Sequence, residues 1–107
     1  YQIKMDGVMV STTEVEEALR EHPAVADAGV IGRPDLLQGN VIKAFIALKQ
    51  GFSPSDEILE EIQEFMRKYF SPRIVPKEIE FRPAIPRGKD GTVVRRVLKA
   101  WELGLPV

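Results

Sequence analysis

Two runs in the first half of the chain constrain its fold most. Val41-Ile42-Lys43-Ala44-Phe45-Ile46-Ala47-Leu48 is apolar at every position but one, and Val25 to Arg33 is rich in small and branched residues. Short apolar runs of this kind suit strands. Pro34-Asp35 and Gly39-Asn40 bracket the loop between them, so the two strands are expected to pair antiparallel across it. Three amphipathic segments are available to cover such a sheet.

The clearest of these carries Ile58, Leu59, Ile62, Phe65, Met66 and Tyr69 at helical spacing, with Glu57, Glu60, Glu61, Glu64, Arg67 and Lys68 on the other face. Its acids lie early and its bases late, as the helix dipole favours, and Ser53 or Ser55 can cap it. An earlier helix opens on the capping-box pattern Ser11-Thr12-Thr13-Glu14. It is expected to bury Val15, Ala18 and Leu19, to show Glu16, Glu17 and Arg20 to water, and to stop at His22-Pro23. The last segment stripes Val93, Val94, Val97, Leu98 and Trp101 and ends at Gly104. Gln2 to Met5 and Val8 to Val10 read as short strands around an Asp6-Gly7 turn, and Lys77 to Arg82 alternates as a third principal strand. The order β-β-α-β-β-α-β-α predicts an α+β fold: a small, mostly antiparallel sheet with three packed helices.

Composition narrows the function. With 107 residues the chain suits one domain. Its 15 basic and 16 acidic residues leave a net charge of −1, which argues against a dedicated nucleic-acid binder. Cysteine is absent and His22 is the one histidine, so no thiolate or histidine metal cluster can form. The lack of cysteine fits a reducing compartment, and a cytoplasmic location is expected. No apolar run approaches the roughly 20 residues of a membrane-spanning helix. The chain begins inside a strand without an initiator methionine, and it is expected to be part of something longer.

Most side chains with chemical character have plain roles. The glutamates at 57, 60, 61 and 64 form a solvated helix face, and His22 finishes a helix. Trp101 packs, and Arg95, Arg96 and Lys99 lie on an exposed helix face. Ser11, Thr12 and Thr13 have no histidine partner, so nucleophilic catalysis lacks support. The stretch Ile85-Pro86-Arg87-Gly88-Lys89-Asp90-Gly91-Thr92-Val93-Val94-Arg95-Arg96 stands apart. It is a glycine-punctuated basic loop that can lay Arg87 and Lys89 against an anion on a partner surface.

Several phrases, in order and in register, resemble the C-terminal subdomain of adenylate-forming enzymes, the superfamily of acyl-CoA synthetases, luciferases and peptide-synthetase adenylation domains. They are Gln2-Ile3-Lys4-Met5-Asp6-Gly7, the Val8 to Glu16 helix opening, His22 to Asp35, Val41 to Lys49, and Val75 to Phe81 followed by Ile85-Pro86. The wording around Ser11 and the closing Arg95 to Gly104 is most similar to a carboxylate–CoA ligase.

The resemblance implies a mobile lid on a large N-terminal domain. With ATP and Mg2+ a carboxylate becomes an acyl-adenylate, and a thiol such as that of CoA then displaces AMP. Alone, the lid is expected to be inactive. In the family a lysine directly follows the glycine matched by Gly91 and stabilises charge as the adenylate forms. This chain has Thr92 there. Lys89 lies three residues upstream, up to about 10 Å away along extended chain. Three readings stay open: Lys89 substitutes, the first half-reaction is crippled, or the parent uses other groups. The resemblance also implies that Gly7 lines the tunnel for the thiol, where turn chemistry alone gives a plain hairpin glycine. It places Arg67 near nucleotide phosphate, against a solvated helix charge beside Glu64. Lys4 matches a lysine near the hinge, or sits on a strand edge. The rival class is a stand-alone interaction module, a pseudo-enzyme remnant that docks a partner protein.

Overall fold

A computed structural model describes residues 1–106. Its strands are β1 (Gln2–Met5), β2 (Val8–Ser11), β3 (Val25–Asp35), β4 (Gly39–Leu48) and β5 (Glu78–Phe81). The helices are α1 (Thr12–Arg20), α2 (Asp56–Tyr69) and α3 (Arg95–Leu103), with a 3-10 turn at Pro72–Ile74. β3 and β4 pair antiparallel from Val25↔Leu48 to Asp35↔Gly39, with a bulge between Val25 and Asp27. β5 joins the free edge of β4 in parallel, Lys43↔Glu78 to Ile46↔Phe81. β1 and β2 form a separate hairpin.

The central strands alternate between two covers. Ala28, Val30, Ile42, Ala44 and Ile46 face a core shared with Val15, Ala18 and Leu19 of α1 and Ile58, Ile62 and Met66 of α2. Ile31, Phe45 and Ala47 face a second core with Ile85, Val93 and Leu98. A strand covered on both sides has no need of polar alternation, which explains the nearly continuous apolar run of β4. Its one cation, Lys43, is buried on the α3 side and binds Glu80 at 3.2 Å and Glu102 at 2.5 Å.

The helix boundaries follow local chemistry. The Ser11 hydroxyl accepts the Glu14 N–H and the Ser55 hydroxyl accepts the Ile58 N–H, each satisfying an amide the first turn leaves unpaired. Gly104 closes α3 with a left-handed φ of 69°. His22 is buried beyond α1, where its Nδ1 accepts the Ala24 N–H at 3.0 Å.

Two expectations change. α3 begins at Arg95, because Val93 is drawn into a bridge with Arg87. Glu16 and Arg95, both read as exposed, are turned inward. The seating of α3 depends on Gly29: a Cβ there would come within 2.9 Å of Leu98 Cδ1 and 3.0 Å of Ile85 Cγ2. A larger residue there would force the Leu98 and Ile85 side chains to shift from their places against the sheet.

Candidate functional site

Two surfaces carry the residues singled out in the sequence. The first is built around the Asp6-Gly7 turn. Met5 pairs with Val8 across it, and both turn residues have positive φ, 50° at Asp6 and 78° at Gly7. Only Gly, and less readily Asn or Asp, adopts this conformation at low cost. The turn is braced against the β3–β4 tip: Asp6 N–H donates to Gln38 O at 2.9 Å, and Asn40 Nδ2 donates to Lys4 O at 3.0 Å. Above Gly7 the space is open, since a Cβ built there meets nothing within 4 Å.

Beside the turn lies a cleft of about 690 Å³ lined by Asp6 and Val8, by Gln63 and Arg67 of α2, and by Arg73 and Lys77 beyond it. The fold thus brings Arg67 to the residues that flank Gly7, although 60 positions separate them. Arg67 is half exposed and pairs with Glu64 one turn back, a contact of little energetic weight in water. Lys4 is exposed on β1 across from Met9 and does not line the cleft. Val8, Met9, Leu36 and Leu37 are exposed apolar residues at the tips of the two braced hairpins.

The second surface is the basic loop, which is a small hairpin. Gly88 N–H donates to Thr92 O at 2.8 Å, Gly91 N–H to Gly88 O at 3.0 Å, and Val94 N–H to Pro86 O at 2.9 Å. Arg87 is exposed but bonded within the chain: Nε reaches Asp27 Oδ2 at 3.1 Å and Nη1 reaches Gly91 O at 2.7 Å. The Asp27 hydrogen bond leads the causes that raise the Arg87 pKa. Burial alone would raise Asp27, but hydrogen bonds from Arg87 and from Ala28 N–H, with the charges of Arg87 and Arg20, hold it below the usual carboxylate range. Thr92 donates its hydroxyl to Asp90 Oδ1 at 2.7 Å and its N–H to the same oxygen at 3.1 Å. These bonds lower the pKa of Asp90, so an anion sits beside the position where a cation was sought. Lys89 is exposed, and among the described residues it forms no ion pair. Of the two basic residues expected to meet an outside anion, Lys89 has no ion-pair partner among the described residues and Arg87 is already bonded to Asp27 and Gly91 O.

Sequence reasoning missed the groups behind this loop. Glu16, Thr12 and Arg95 form a buried cluster. Burial raises the Glu16 pKa, against the Val30 N–H and the Arg95 charge. Its partner lies 79 positions away, so no local pattern could mark it. Among the described residues no group of three or more His, Asp or Glu side chains is arranged to hold a metal ion. Likewise, none of their helices is long and apolar enough to cross a membrane.

The sequence model of the AMP-binding enzyme C-terminal domain matches residues 14–92. Acetyl-coenzyme A synthetase of Bacillus subtilis (strain 168) is 52% identical over 104 residues, covering 97% of this chain and 18% of that protein. The 4-hydroxybutyrate–CoA ligase 1 of Metallosphaera sedula is 45% identical over 100 residues, covering 94% of this chain and 18% of its own length. Among solved structures, an acyl-CoA synthetase of Brucella canis superposes with a TM-score of 0.88 at 33% identity, over 97% of this chain and 19% of that one. The chain therefore spans under a fifth of these relatives.

Proposed function

Because the chain belongs to the AMP-binding enzyme C-terminal domain family, we propose that residues 1–107 are the mobile C-terminal subdomain of an ATP-dependent carboxylate–CoA ligase. Its partner is a large N-terminal domain of the same enzyme. The small-molecule carboxylate and ATP bind there, and this piece alone is inactive. The observation that carries the reading is the cleft that joins the Gly7 turn to Arg67. Apolar residues exposed on the adjoining hairpin tips suit a face that meets another protein body.

Each surface serves one half-reaction. For adenylate formation the loop brings Lys89, its free cation, toward the charge that develops on carboxylate and phosphate. A positioned cation in a site closed from water stabilises such charge far better than one in solvent. Thr92 supplies no charge and stays bonded to Asp90, so Lys89 stands in for the family lysine. For thioester formation the other face takes over. Gly7 leaves room for the pantetheine arm of CoA because nothing projects from the turn, and Arg67 turns from Glu64 to nucleotide phosphate. A guanidinium on an exposed pair can switch partners at small cost. Lys4 belongs to the hinge side and steadies the entry to β1. The reaction needs Mg2+ as a counter-charge for ATP. Among the described residues no group of three or more acidic or histidine side chains is arranged to hold it, and no step here runs through it.

The test separates the two steps in the enzyme that contains this chain. Pyrophosphate exchange reports adenylation, and CoA-dependent consumption of added acyl-adenylate reports the second step. Activity in both, with Lys89→Ala impairing the first alone and Gly7→Leu the second alone, is the expected result. Robust turnover by the 107 residues alone would refute the division of labour. Retention of a partner protein with neither half-reaction in the parent would favour the docking module instead.

A further inference from the structure

The loop's far end is anchored by a cluster that the two surfaces leave unused. Arg95 lies three residues beyond Thr92, at the first turn of α3, and its side chain is 14% exposed. Its Nη2 donates to Glu16 Oε2 and to Thr12 Oγ1, both at 2.8 Å. Glu16, 5% exposed at its side chain, also accepts the Val30 N–H at 2.9 Å. Thr12 is fully buried and its hydroxyl donates to Tyr1 O at 3.0 Å, as does its N–H to the same oxygen at 3.0 Å. The Arg95 guanidinium lies 5.2 Å from the centroid of the Tyr1 ring, and Lys99 Nζ meets the Tyr1 hydroxyl at 2.9 Å. One cluster therefore ties together the entry to β1, the start of α1, the middle of β3 and the start of α3.

Simple stabilisation is a poor explanation for it. A buried ion pair is often no better than apolar residues of the same volume, and α3 is already seated by Leu98 and Ile85 against Gly29. Hydrogen bonds with fixed directions contribute orientation, which apolar packing specifies less sharply. Arg95 has one further property: its Nη1 approaches Val93 O at 3.4 Å. It thus holds the strand that leaves the hairpin as well as the helix that follows.

We propose that Arg95 is a positioning residue, which through Glu16 and Thr12 locks the 87–92 hairpin to the chain at Tyr1. When the subdomain turns about the segment leading into β1, the loop turns with it as one body and presents Lys89 in a single orientation. This rests on the proposed division into two half-reactions. It adds that adenylation depends on a buried pair which touches neither nucleotide nor acid.

The enzyme containing this chain is the test system, with Arg95→Met and Arg95→Lys. Because Arg95→Met strands a buried carboxylate and can unfold the domain, the paired change Glu16→Gln with Arg95→Gln removes both charges together. Two readouts are needed. The first is amide hydrogen exchange at Gly88, Gly91 and Val94, expected to quicken at least about fivefold in the paired variant with β4 amides unchanged. The second is the half-reactions: pyrophosphate exchange is expected to fall about tenfold, thioester formation from added acyl-adenylate to stay within about twofold, and Arg95→Lys to recover part of the loss. Unchanged exchange at the hairpin, or an equal fall in both half-reactions, overturns the proposal. If neither half-reaction occurs in the unmodified enzyme or in Thr92→Lys, the functional reading fails, and hydrogen exchange still decides whether the latch exists.

Discussion

The Asp6-Gly7 turn and the Gly88–Gly91 turn are both glycine-bent hairpins on one small domain, but they are built on different principles. The first is defined by main chain. Two consecutive positive φ values shape it, a backbone bond to Gln38 braces it, and open space above it is its useful property. The second is defined by what each side chain is already bonded to. Arg87 is tied to Asp27, Thr92 to Asp90, and Lys89 to nothing among the described residues. A site of shape tolerates little substitution at its glycine. A site of charge can shift its working group along the loop if the loop holds its form.

The strongest way to break this comparison is to move the charge. Lys89→Ala is expected to slow pyrophosphate exchange about a hundredfold, the scale of losing one preorganised charge contact at a reacting group. Adding Thr92→Lys to that variant is expected to restore most of the rate. A silent Lys89→Ala, with Thr92→Lys alone raising the rate, would show that the loop is crippled as it stands and that charge cannot migrate along it.

Shape is tested at Gly7. Gly7→Leu forces a branched side chain into positive φ, which costs the fold about 1 kcal/mol or somewhat more. A Cβ there meets nothing within 4 Å, so a larger effect on one half-reaction alone points to a contact with a partner. Thioester formation is expected to fall by more than about tenfold, with pyrophosphate exchange within about threefold. Gly7→Ala separates the terms, keeping the backbone strain with far less bulk. If the alanine and leucine variants are equally slow, strain alone is at work and the tunnel assignment falls.

Arg67 gives a smaller and more specific effect. Arg67→Ala removes a half-exposed guanidinium whose resting partner is Glu64. A charge-assisted contact to phosphate contributes about 1.5 kcal/mol or more. The expected result is a roughly tenfold rise in KM for CoA with kcat little changed. Dephospho-CoA and CoA losing equally would place Arg67 away from the nucleotide's extra phosphate.

These contrasts follow what could be read from the chain beforehand. The Gly7 turn was legible because its cause is local: Asp-Gly between two short alternating runs specifies a tight hairpin on its own. The Ser11 cap and the β3–β4 pair were legible for the same reason. The second site was legible only in outline. Arg87 read as a free cation because its partner, Asp27, lies 60 positions away on β3. Glu16 read as solvent-facing because the helical wheel places it off the apolar stripe, and its partners, the Val30 N–H on β3 and Arg95 from the far end of the chain, are both distant in sequence. Val93 has the right spacing for the α3 stripe, yet three β-branched residues after Gly91 also suit a strand, and the bridge to Arg87 wins. That β5 would join β4 in parallel likewise depends on the path of α2 and its connector across the sheet.

The mildest prediction concerns the anchor that holds the second hairpin. Asp27 accepts Arg87, lies 3.6 Å from Arg20 Nη1, and its carboxyl titrates below the usual range. A carboxylate whose folded pKa is depressed contributes stability at pH values above its unfolded pKa, about 3.9 for Asp, and loses that contribution as pH falls through the lower folded value. Asp27→Asn should therefore lower stability at pH 7 by about 1 kcal/mol or less, since all three side chains keep some contact with water. The deficit relative to the unmodified chain should shrink as pH drops below about 4. Urea titrations at pH 7 and pH 3 measure both values. A deficit equal at the two pH values would mean that Asp27 acts through its hydrogen-bond geometry, which asparagine copies imperfectly. The loop would then be held by shape after all, and the contrast between the two hairpins would narrow to the placing of Lys89 at the tip of the second.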